Sequence, residues 1–199
     1  MAQLQITIDD GPQPVANALT RLLDELATRK IVAAFFNLGS EVKADPTATK
    51  LILKQGHILG NHSWDHMEPS TVKYSDAEIR EQFEKSHAEV LNVTRVSMQH
   101  WRAPRLQQIR RITGIIASGS KALYTLSHCD AHADSKDSQG ATDADGMLKA
   151  LRGDISIASS RKTFRLLFHV KPTTANAFAK VLDGLLADKH TFVNFSQTA

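Results

Sequence analysis

The stretch Thr7-Ile8-Asp9-Asp10-Gly11-Pro12 guides the interpretation of the whole chain. Residues Leu4 to Ile8 are typical of a short buried strand, which then ends in two adjacent carboxylates and a Gly-Pro turn. Neighbouring side chains on a regular strand point to opposite faces, so Asp9 and Asp10 cannot both face one side of it. The Gly-Pro turn can relax this rule and bring both carboxylates to one pocket. Taken alone, these residues are more typical of a solvated turn, so a functional role depends on partners elsewhere.

The composition is that of an ordinary globular protein. The chain has 199 residues, 42% hydrophobic and 23% charged, which is enough for one domain spanning 1–199 with a sizeable core. The formal charge is +3 and aromatic residues make up 6%, a balance that disfavours a nucleic-acid-binding surface. No stretch approaches the roughly 20 apolar residues of a membrane span.

Cysteine usage and the N-terminus bear on the cellular compartment. The single cysteine, Cys129, excludes an intramolecular disulfide and a cysteine-based zinc site. The N-terminus shows neither the charged nor the apolar region of a signal peptide. As it stands, the sequence therefore predicts a cytoplasmic protein, whereas an extracellular or periplasmic one is expected if a leader has been removed.

Strand-like and helix-like patterns alternate along the whole chain. Helices are predicted to begin at Pro14, at the Asp45-Pro46 cap, at the Ser75/Glu78 capping box, near Leu106, near Asp145 and at Thr173. This alternation predicts an α/β fold with a parallel sheet, and about seven repeats favour a small barrel. The predicted strands are Leu4–Ile8, Ile31–Leu38, His57–Asn61, Met98–Arg102, Ala122–Leu126, Phe164–Val170 and Thr191–Phe195.

His62 and His66 lie four residues apart, just after a predicted strand. Two imidazoles at that spacing can reach one metal ion from a helical turn or a curved loop. A catalytic zinc site needs three protein ligands and an open position, and Asp9 or Asp10 can supply the third ligand. The alternative is a pair of surface histidines.

Other polar residues also follow predicted strands. Arg102 is either a surface charge or the partner of a carboxylate that must stay ionised and oriented. His169 is either a structural histidine or a group that protonates a leaving group near neutral pH. Asp134 and Asp137, in a loop predicted over Asp130 to Asp137, are either solvated or in a position to hydrogen-bond His169 and raise its pKa.

The order of these segments resembles the polysaccharide deacetylases, the NodB-homology enzymes of carbohydrate esterase family 4. That family is marked by T-F-D-D-G-P, H-[ST]-x-x-H, R-x-P, D-x-x-D-W and L-x-L-H, in this order. The resemblance runs from the first strand to the last, and its first two motifs together are highly specific. The corresponding segments here are Thr7–Pro12, His62–His66, Arg102–Pro104, Asp134–Asp137 and Leu166–His169.

The resemblance implies a fold, a cofactor and a set of roles. The implied fold is a distorted (β/α) barrel with fewer than eight full repeats. The implied cofactor is a divalent metal, most often Zn²⁺ with Co²⁺ or Ni²⁺ as alternatives, bound by Asp10, His62 and His66. The implied catalytic set comprises Asp9 as general base, Arg102 orienting Asp9, His169 as general acid, Asp134 or Asp137 tuning His169, and the backbone N–H of Arg105 stabilising the oxyanion.

The chain departs from the family pattern mainly where substrate is expected to bind. Arg105 stands where an aromatic residue is usual, and Leu106 replaces the glycine that follows it. Ser138 replaces the tryptophan of the fourth motif, so Asp130 becomes a rival partner for His169. Val170 stands where the family often has an aspartate. We therefore expect altered substrate choice or reduced activity rather than loss of the metal.

The expected function is the removal of N-acetyl groups from N-acetylglucosamine units in a glycan such as chitin oligosaccharide or peptidoglycan. The expected partner is thus an acetylated glycan, with no nucleic acid. Three alternatives remain open: an O-acetyl esterase, a sugar deformylase, and a catalytically impaired homologue that only binds glycan or metal.

Overall fold

Eight parallel strands form one sheet in the computed structural model, which describes residues 1–13, 15–68, 74–120, 123, 125–158 and 160–195. Strand β1 is central, since strands pair with it on both sides, and its Leu4, Ile6 and Ile8 are fully buried in the apolar core that covers one face of the sheet. The strands are β1 (Gln3–Gly11), β2 (Ala34–Asn37), β3 (Ile58–Asn61), β4 (His100–Trp101), β5 (Ser127–His128), β6 (Ala133–Asp134), β7 (Thr163–His169) and β8 (Thr191–Phe192).

The sheet curls into an incomplete barrel. Its pairing order is β5-β4-β3-β2-β1-β7-β6, with β8 added to the start of β1. A flat sheet of these seven strands would hold β5 and β6 roughly 29 Å apart. The chain between them, residues 129–132, reaches roughly 18 Å at most, so the two edges must curve toward each other. This curvature confirms the distorted (β/α) barrel expected from the sequence.

Helices cover the outside of the sheet. Two predicted helix starts are confirmed: the Asp45 side chain accepts a hydrogen bond from the N–H of Ala48, and Ser75 and Glu78 form a capping box. No helix in the described ranges is long and apolar enough to cross a membrane. The helices are α1 (Ala18–Thr28), α2 (Gly39–Ala44), α3 (Pro46–Lys54), α4 (Asp76–Thr94), α5 (Ile109–Ala117), α6 (Ala144–Ile157) and α7 (Pro172–Ala187), with 3-10 turns at Val15–Asn17 and Pro104–Leu106.

Some predicted boundaries are wrong. The strand expected over Ala122–Leu126 occurs instead as β5 (Ser127–His128), and Leu123 is helical. A short run of apolar residues does not by itself separate a buried strand from a buried helical turn. Ala122 and Pro14, which begin two predicted elements, lie outside the described residues.

The acid-rich segment and the last helix also differ from expectation. The segment predicted as a loop over Asp130 to Asp137 contains strand β6. Helix α7 begins at Pro172 and follows Lys171, so Thr173 lies inside the helix rather than capping it. Thr173 is a favourable cap only in local sequence, whereas Pro172 has the fixed backbone angle that suits the first helical position.

Candidate active site

Asp10 is the extra residue of a β-bulge at the carboxyl end of β1. Asp9 pairs with Phe36 and Gly11 pairs with Asn37, so the register between β1 and β2 shifts at Asp10. The φ of Asp10 is 66°, in the left-handed region that aspartate tolerates better than most residues. The bulge breaks the strand alternation and lets both carboxylates line one cleft. The alternation is therefore relaxed at Asp10 itself, one residue before the predicted Gly-Pro turn.

Asp10, His62 and His66 lie together at the base of this cleft. The Nε2 atoms of His62 and His66 are each 3.5 Å from Asp10 Oδ1. Among the described residues, no group forms a hydrogen bond with this buried oxygen. Two atoms that each lie about 2.1 Å from a tetrahedral zinc ion are about 3.4 Å apart. The three side chains therefore have the spacing and the donor types of ligands to one metal ion.

The tautomer of His62 and the lowered pKa of His66 suit metal binding. His62 Nδ1 lies 3.0 Å from the carbonyl oxygen of Arg102, which can only accept, so Nδ1 carries the proton. The lone pair of His62 Nε2 is thereby directed toward Asp10. Burial lowers the pKa of His66 and favours its neutral form.

Arg102 is completely buried and fixes the orientation of Asp9. Its Nη1 donates to Asp9 Oδ1 at 2.7 Å and to Thr7 Oγ1 at 2.8 Å. Its Nε and Nη2 donate to the carbonyl oxygens of Cys129 and Asp130 at 3.0 and 3.3 Å. The guanidinium is therefore held on several sides, as its fork geometry allows. The second oxygen of Asp9 remains in the cleft, 3.7 Å from His62 Nε2.

His169 and Asp137 form a second buried pair across the cleft. Asp137 Oδ1 accepts from His169 Nδ1 at 2.7 Å, and Asp137 Oδ2 accepts from the His169 backbone N–H at 2.8 Å. Burial favours neutral imidazole, yet the bond to Asp137 and its charge raise the pKa of His169 to about 9. Burial likewise opposes ionisation of Asp137, but the bonds from His169 and Thr174 lower its pKa. The pair therefore keeps His169 protonated at neutral pH.

The other two aspartates offered by the sequence do not contact His169. Asp134 Oδ1 and Oδ2 accept from the backbone N–H and the Nζ of Lys136, at 2.8 and 2.9 Å. Asp130 lies beside His128, with 3.3 Å between Asp130 Oδ1 and His128 Nδ1. Asp134, which the sequence offered as a partner of His169, is instead bound by Lys136. Asp134 remains a residue of the cleft wall.

Arg105 lies at the rim of the cleft. Its guanidinium pairs with Glu68 at 2.7 Å, and about half of the Arg105 side chain is exposed. Both Arg105 and Leu106 have a φ of 55°, so the chain turns sharply here. The role of the Arg105 N–H as an oxyanion donor stays a prediction. The cleft measures about 590 Å³ and is lined by Asp9, Asp10, His62, His66, Arg105, Leu106, Gln107, Asp134, Lys136, Ser138, Gln139, Leu167 and His169.

Sequence reasoning missed three residues of this region. Lys136 and Gln139 approach Asp134, and Thr174 donates to Asp137 Oδ2 at 2.6 Å. Lys136 occupies an unspecified position inside the fourth motif, and no motif marks Gln139 or Thr174. The only sequence signal for Thr174 is its place just after the strand that carries His169.

Comparison with known proteins adds sequence relatives. The sequence model of the polysaccharide deacetylase family matches residues 2–119. The chain is 37% identical over 92 residues to the peptidoglycan-N-acetylglucosamine deacetylase PgdA of Listeria monocytogenes, a match covering 46% of the chain and 19% of PgdA. It is 35% identical over 99 residues to a chitooligosaccharide deacetylase of Rhizobium leguminosarum bv. trifolii, covering 50% of the chain and 45% of that enzyme. The matches thus span less than half the length of these relatives.

A solved structure shares the fold. It is a mutant, with restored enzymatic activity, of a family 4 carbohydrate esterase pseudoenzyme from Bacillus anthracis. Its TM-score is 0.81 at 22% sequence identity, and the superposition covers 97% of this chain and 65% of that one. At this level of identity the comparison supports the fold alone.

Proposed function

The chain belongs to the polysaccharide deacetylase family, and from this premise we propose that it is a metal-dependent hydrolase of N-acetylated glycans. The proposed substrate contains N-acetylglucosamine, as in chitin oligosaccharides or peptidoglycan, the substrates named for its relatives. The observation that carries the proposal is the convergence of three groups in one cleft: Asp9 with Arg102, Asp10 with two histidines, and His169 with Asp137.

The proposed metal ligands are Asp10, His62 and His66. Two imidazoles and one carboxylate form a ligand set found in catalytic zinc sites, where a fourth position stays open. A zinc ion bound there would lower the pKa of a coordinated water and polarise the amide carbonyl. Zn²⁺ is proposed over Co²⁺ and Ni²⁺ because imidazole and carboxylate ligands with an open fourth position are typical of catalytic zinc sites.

Two groups of the chain would move protons. The Asp9 oxygen that does not bind Arg102 faces the cleft and would accept a proton from the attacking water. His169, protonated through its pairing with Asp137, would donate a proton from Nε2 to the departing amine. The Arg105 N–H would stabilise negative charge on the former carbonyl oxygen. Together these groups supply a base, an acid and an oxyanion donor for amide hydrolysis.

The altered fourth motif does not remove this machinery. Ser138 replaces the family tryptophan, yet Asp137 still binds His169 through both carboxylate oxygens. This pairing favours an active enzyme over the catalytically impaired homologue. The same groups would serve for an O-acetyl ester or a formamide of a sugar, so the assay must include those substrates.

The proposal is tested by acetate release from N-acetylglucosamine oligomers and from peptidoglycan. We expect turnover that a chelator abolishes and added Zn²⁺ restores. Asp9→Asn is expected to lose turnover, whereas Asp24→Asn, at an exposed position on α1, is expected to retain it. Turnover that is indifferent to chelator, or unchanged in Asp9→Asn, contradicts the mechanism. Tight Zn²⁺ binding without turnover of any acetylated or formylated sugar favours the impaired homologue.

A further inference from the structure

Thr174 contacts Asp137, the aspartate of the proposed general-acid pair. It binds Oδ2, whereas His169 Nδ1 is bound to the other carboxylate oxygen, Oδ1. It lies in the first turn of α7, is completely buried, and donates from Oγ1 to Asp137 Oδ2 at 2.6 Å. We propose that Thr174 is a positioning residue for this pair: it orients Asp137 so that His169 delivers its proton to the leaving amine. The inference rests on the proposed function.

The Asp137 carboxylate is held by donors at both oxygens. Oδ1 accepts from His169 Nδ1 at 2.7 Å. Oδ2 accepts from the His169 backbone N–H at 2.8 Å and from Thr174. Because Oδ2 is fixed by two donors, the carboxylate plane is fixed, and Oδ1 must face the imidazole. Hydrogen bonds to an ionised carboxylate are shorter and stronger than neutral ones, which suits this role.

Bulk solvent does not reach the hydrogen bond between Thr174 and Asp137. The side chain of Asp137 has no exposed surface, and Thr174 is likewise completely buried. A buried carboxylate that loses a donor is left partly unsatisfied, and it regains the missing bond only by moving. Such a movement rotates Oδ1 away from His169 Nδ1.

Thr174 lies on a rigid part of the chain and can therefore hold the Asp137 carboxylate in a fixed orientation. Only five positions separate it from His169, so the end of β7 and the first turn of α7 carry the two residues. Between them, the Val170 N–H donates to the Asp9 carbonyl oxygen at 3.1 Å and joins this segment to β1. A donor on a rigid element holds its partner more accurately than a donor on a loop.

The chemical consequence is confined to one proton transfer. When the amide C–N bond breaks, its electron pair passes to nitrogen, which takes the proton from His169 Nε2 and leaves the imidazole neutral. The position of Nε2 depends on the hydrogen bond between His169 Nδ1 and Asp137 Oδ1. Thr174 determines the orientation of the Asp137 carboxylate in that bond. Thr174 itself touches neither the substrate nor the reacting atoms.

The experiment compares two leaving groups in Thr174→Val. An amine must be protonated as it leaves, whereas the 4-nitrophenolate of 4-nitrophenyl acetate departs without a proton. We expect kcat for an N-acetylglucosamine oligomer to fall roughly tenfold to a hundredfold. The KM for the oligomer and the turnover of the aryl ester are expected to change little. Thr174→Ser keeps the hydroxyl and is expected to restore most of the amide turnover.

A matched control separates this role from a general packing effect. Thr49 is also a buried threonine, on α3, and its hydroxyl donates to the carbonyl oxygen of Asp45, the residue that caps this helix, at 3.2 Å. Thr49→Val is expected to leave both turnovers and the KM unchanged. If Thr174→Val does not fold, Thr174→Ala is expected to show the same division between amide and aryl ester.

The possible failures are distinguishable. A wild-type protein that releases no acetate from any glycan refutes the proposed function. A wild-type protein that does so, while Thr174→Val loses amide and ester turnover equally or retains both, refutes the role of Thr174 alone. Failure of Thr174→Ser to recover amide turnover also refutes it, since the hydroxyl is then not the active feature.

Discussion

Asp9 and Asp10 are consecutive in the chain, yet both direct a carboxylate oxygen toward His62 Nε2. The distances are 3.7 Å from Asp9 Oδ2 and 3.5 Å from Asp10 Oδ1. Their other surroundings differ: Asp9 is bound by the buried Arg102, whereas Asp10 faces His66 as well. This difference supports separate roles, with Asp10 as a metal ligand and Asp9 as a base held beside the metal.

Arg102→Met is expected to destabilise the fold strongly. The substitution leaves the buried Asp9 carboxylate without its charged partner, so the free energy of unfolding should fall by about 3–5 kcal/mol. Urea unfolding measures this loss. Arg111→Met is the control, because its pair with Asp76 is largely exposed and contributes about 0–1 kcal/mol. Equal losses in the two variants contradict the role given to Arg102.

Asp137→Asn is expected to change the pH dependence of amide turnover. In the wild type, Asp137 overcomes the effect of burial and raises the pKa of His169 to about 9, so turnover should decline as the pH rises through about 9. Without the carboxylate, that decline should begin at a lower pH. Asp130→Asn serves as the control, since the Asp130 side chain lies beside His128 instead. Identical profiles for wild type and Asp137→Asn count against the pair.

The same pair is expected to make stability depend on pH. The pKa of His169 is raised from 6.5 to about 9 on folding, so the folded state binds this proton more tightly. The stabilisation is fully present below about pH 6.5 and is lost as the pH rises through about 9. The stability difference between wild type and Asp137→Asn should therefore shrink between about pH 6 and about pH 10. Urea unfolding at both values measures it, and a difference that grows has the wrong sign.

Gly60→Ala is expected to disturb the support of Arg102. A Cβ at Gly60 would lie 2.5 Å from the ring of Phe36. The Cζ atom of the Arg102 guanidinium lies over this ring, 4.3 Å from the ring centre. Overpacking here should lower the free energy of unfolding by about 1–3 kcal/mol. A Cβ at Gly114 in α5 meets no atom within 4 Å, so Gly114→Ala should instead stabilise by about 0.5–1 kcal/mol. Thermal unfolding distinguishes the two signs.

The sequence was sufficient where local chemistry decides the structure. Asp45 with Pro46 and Ser75 with Glu78 cap their helices as predicted, because a cap depends on residues a few positions apart. The alternation of strand-like and helix-like patterns predicted the barrel for a similar reason, because each pattern is read from neighbouring residues. The end of each strand delivers its polar residues to the same edge of a parallel sheet.

The sequence was insufficient to predict the structure where contacts between residues distant in the chain determine it. The bulge at Asp10 depends on the pairing of β1 with β2, which no local pattern records. The choice of Asp137 over Asp130 and Asp134 depends on strand β6, which turns the loop toward His169. Thr173 was predicted to cap the last helix, whereas its neighbour Thr174, in the first turn of α7, is the one that binds Asp137.

The separate roles of Asp9 and Asp10 are tested most directly by measuring Zn²⁺ affinity and acetate release in Asp9→Asn and Asp10→Asn. We expect Asp9→Asn to bind Zn²⁺ nearly as tightly as wild type and to lose about 10²–10⁴-fold in turnover, because only a proton acceptor is removed. Asp10→Asn should weaken Zn²⁺ binding by more than about a hundredfold, because an anionic ligand is lost. Equal loss of Zn²⁺ in both variants would contradict this assignment of base and ligand.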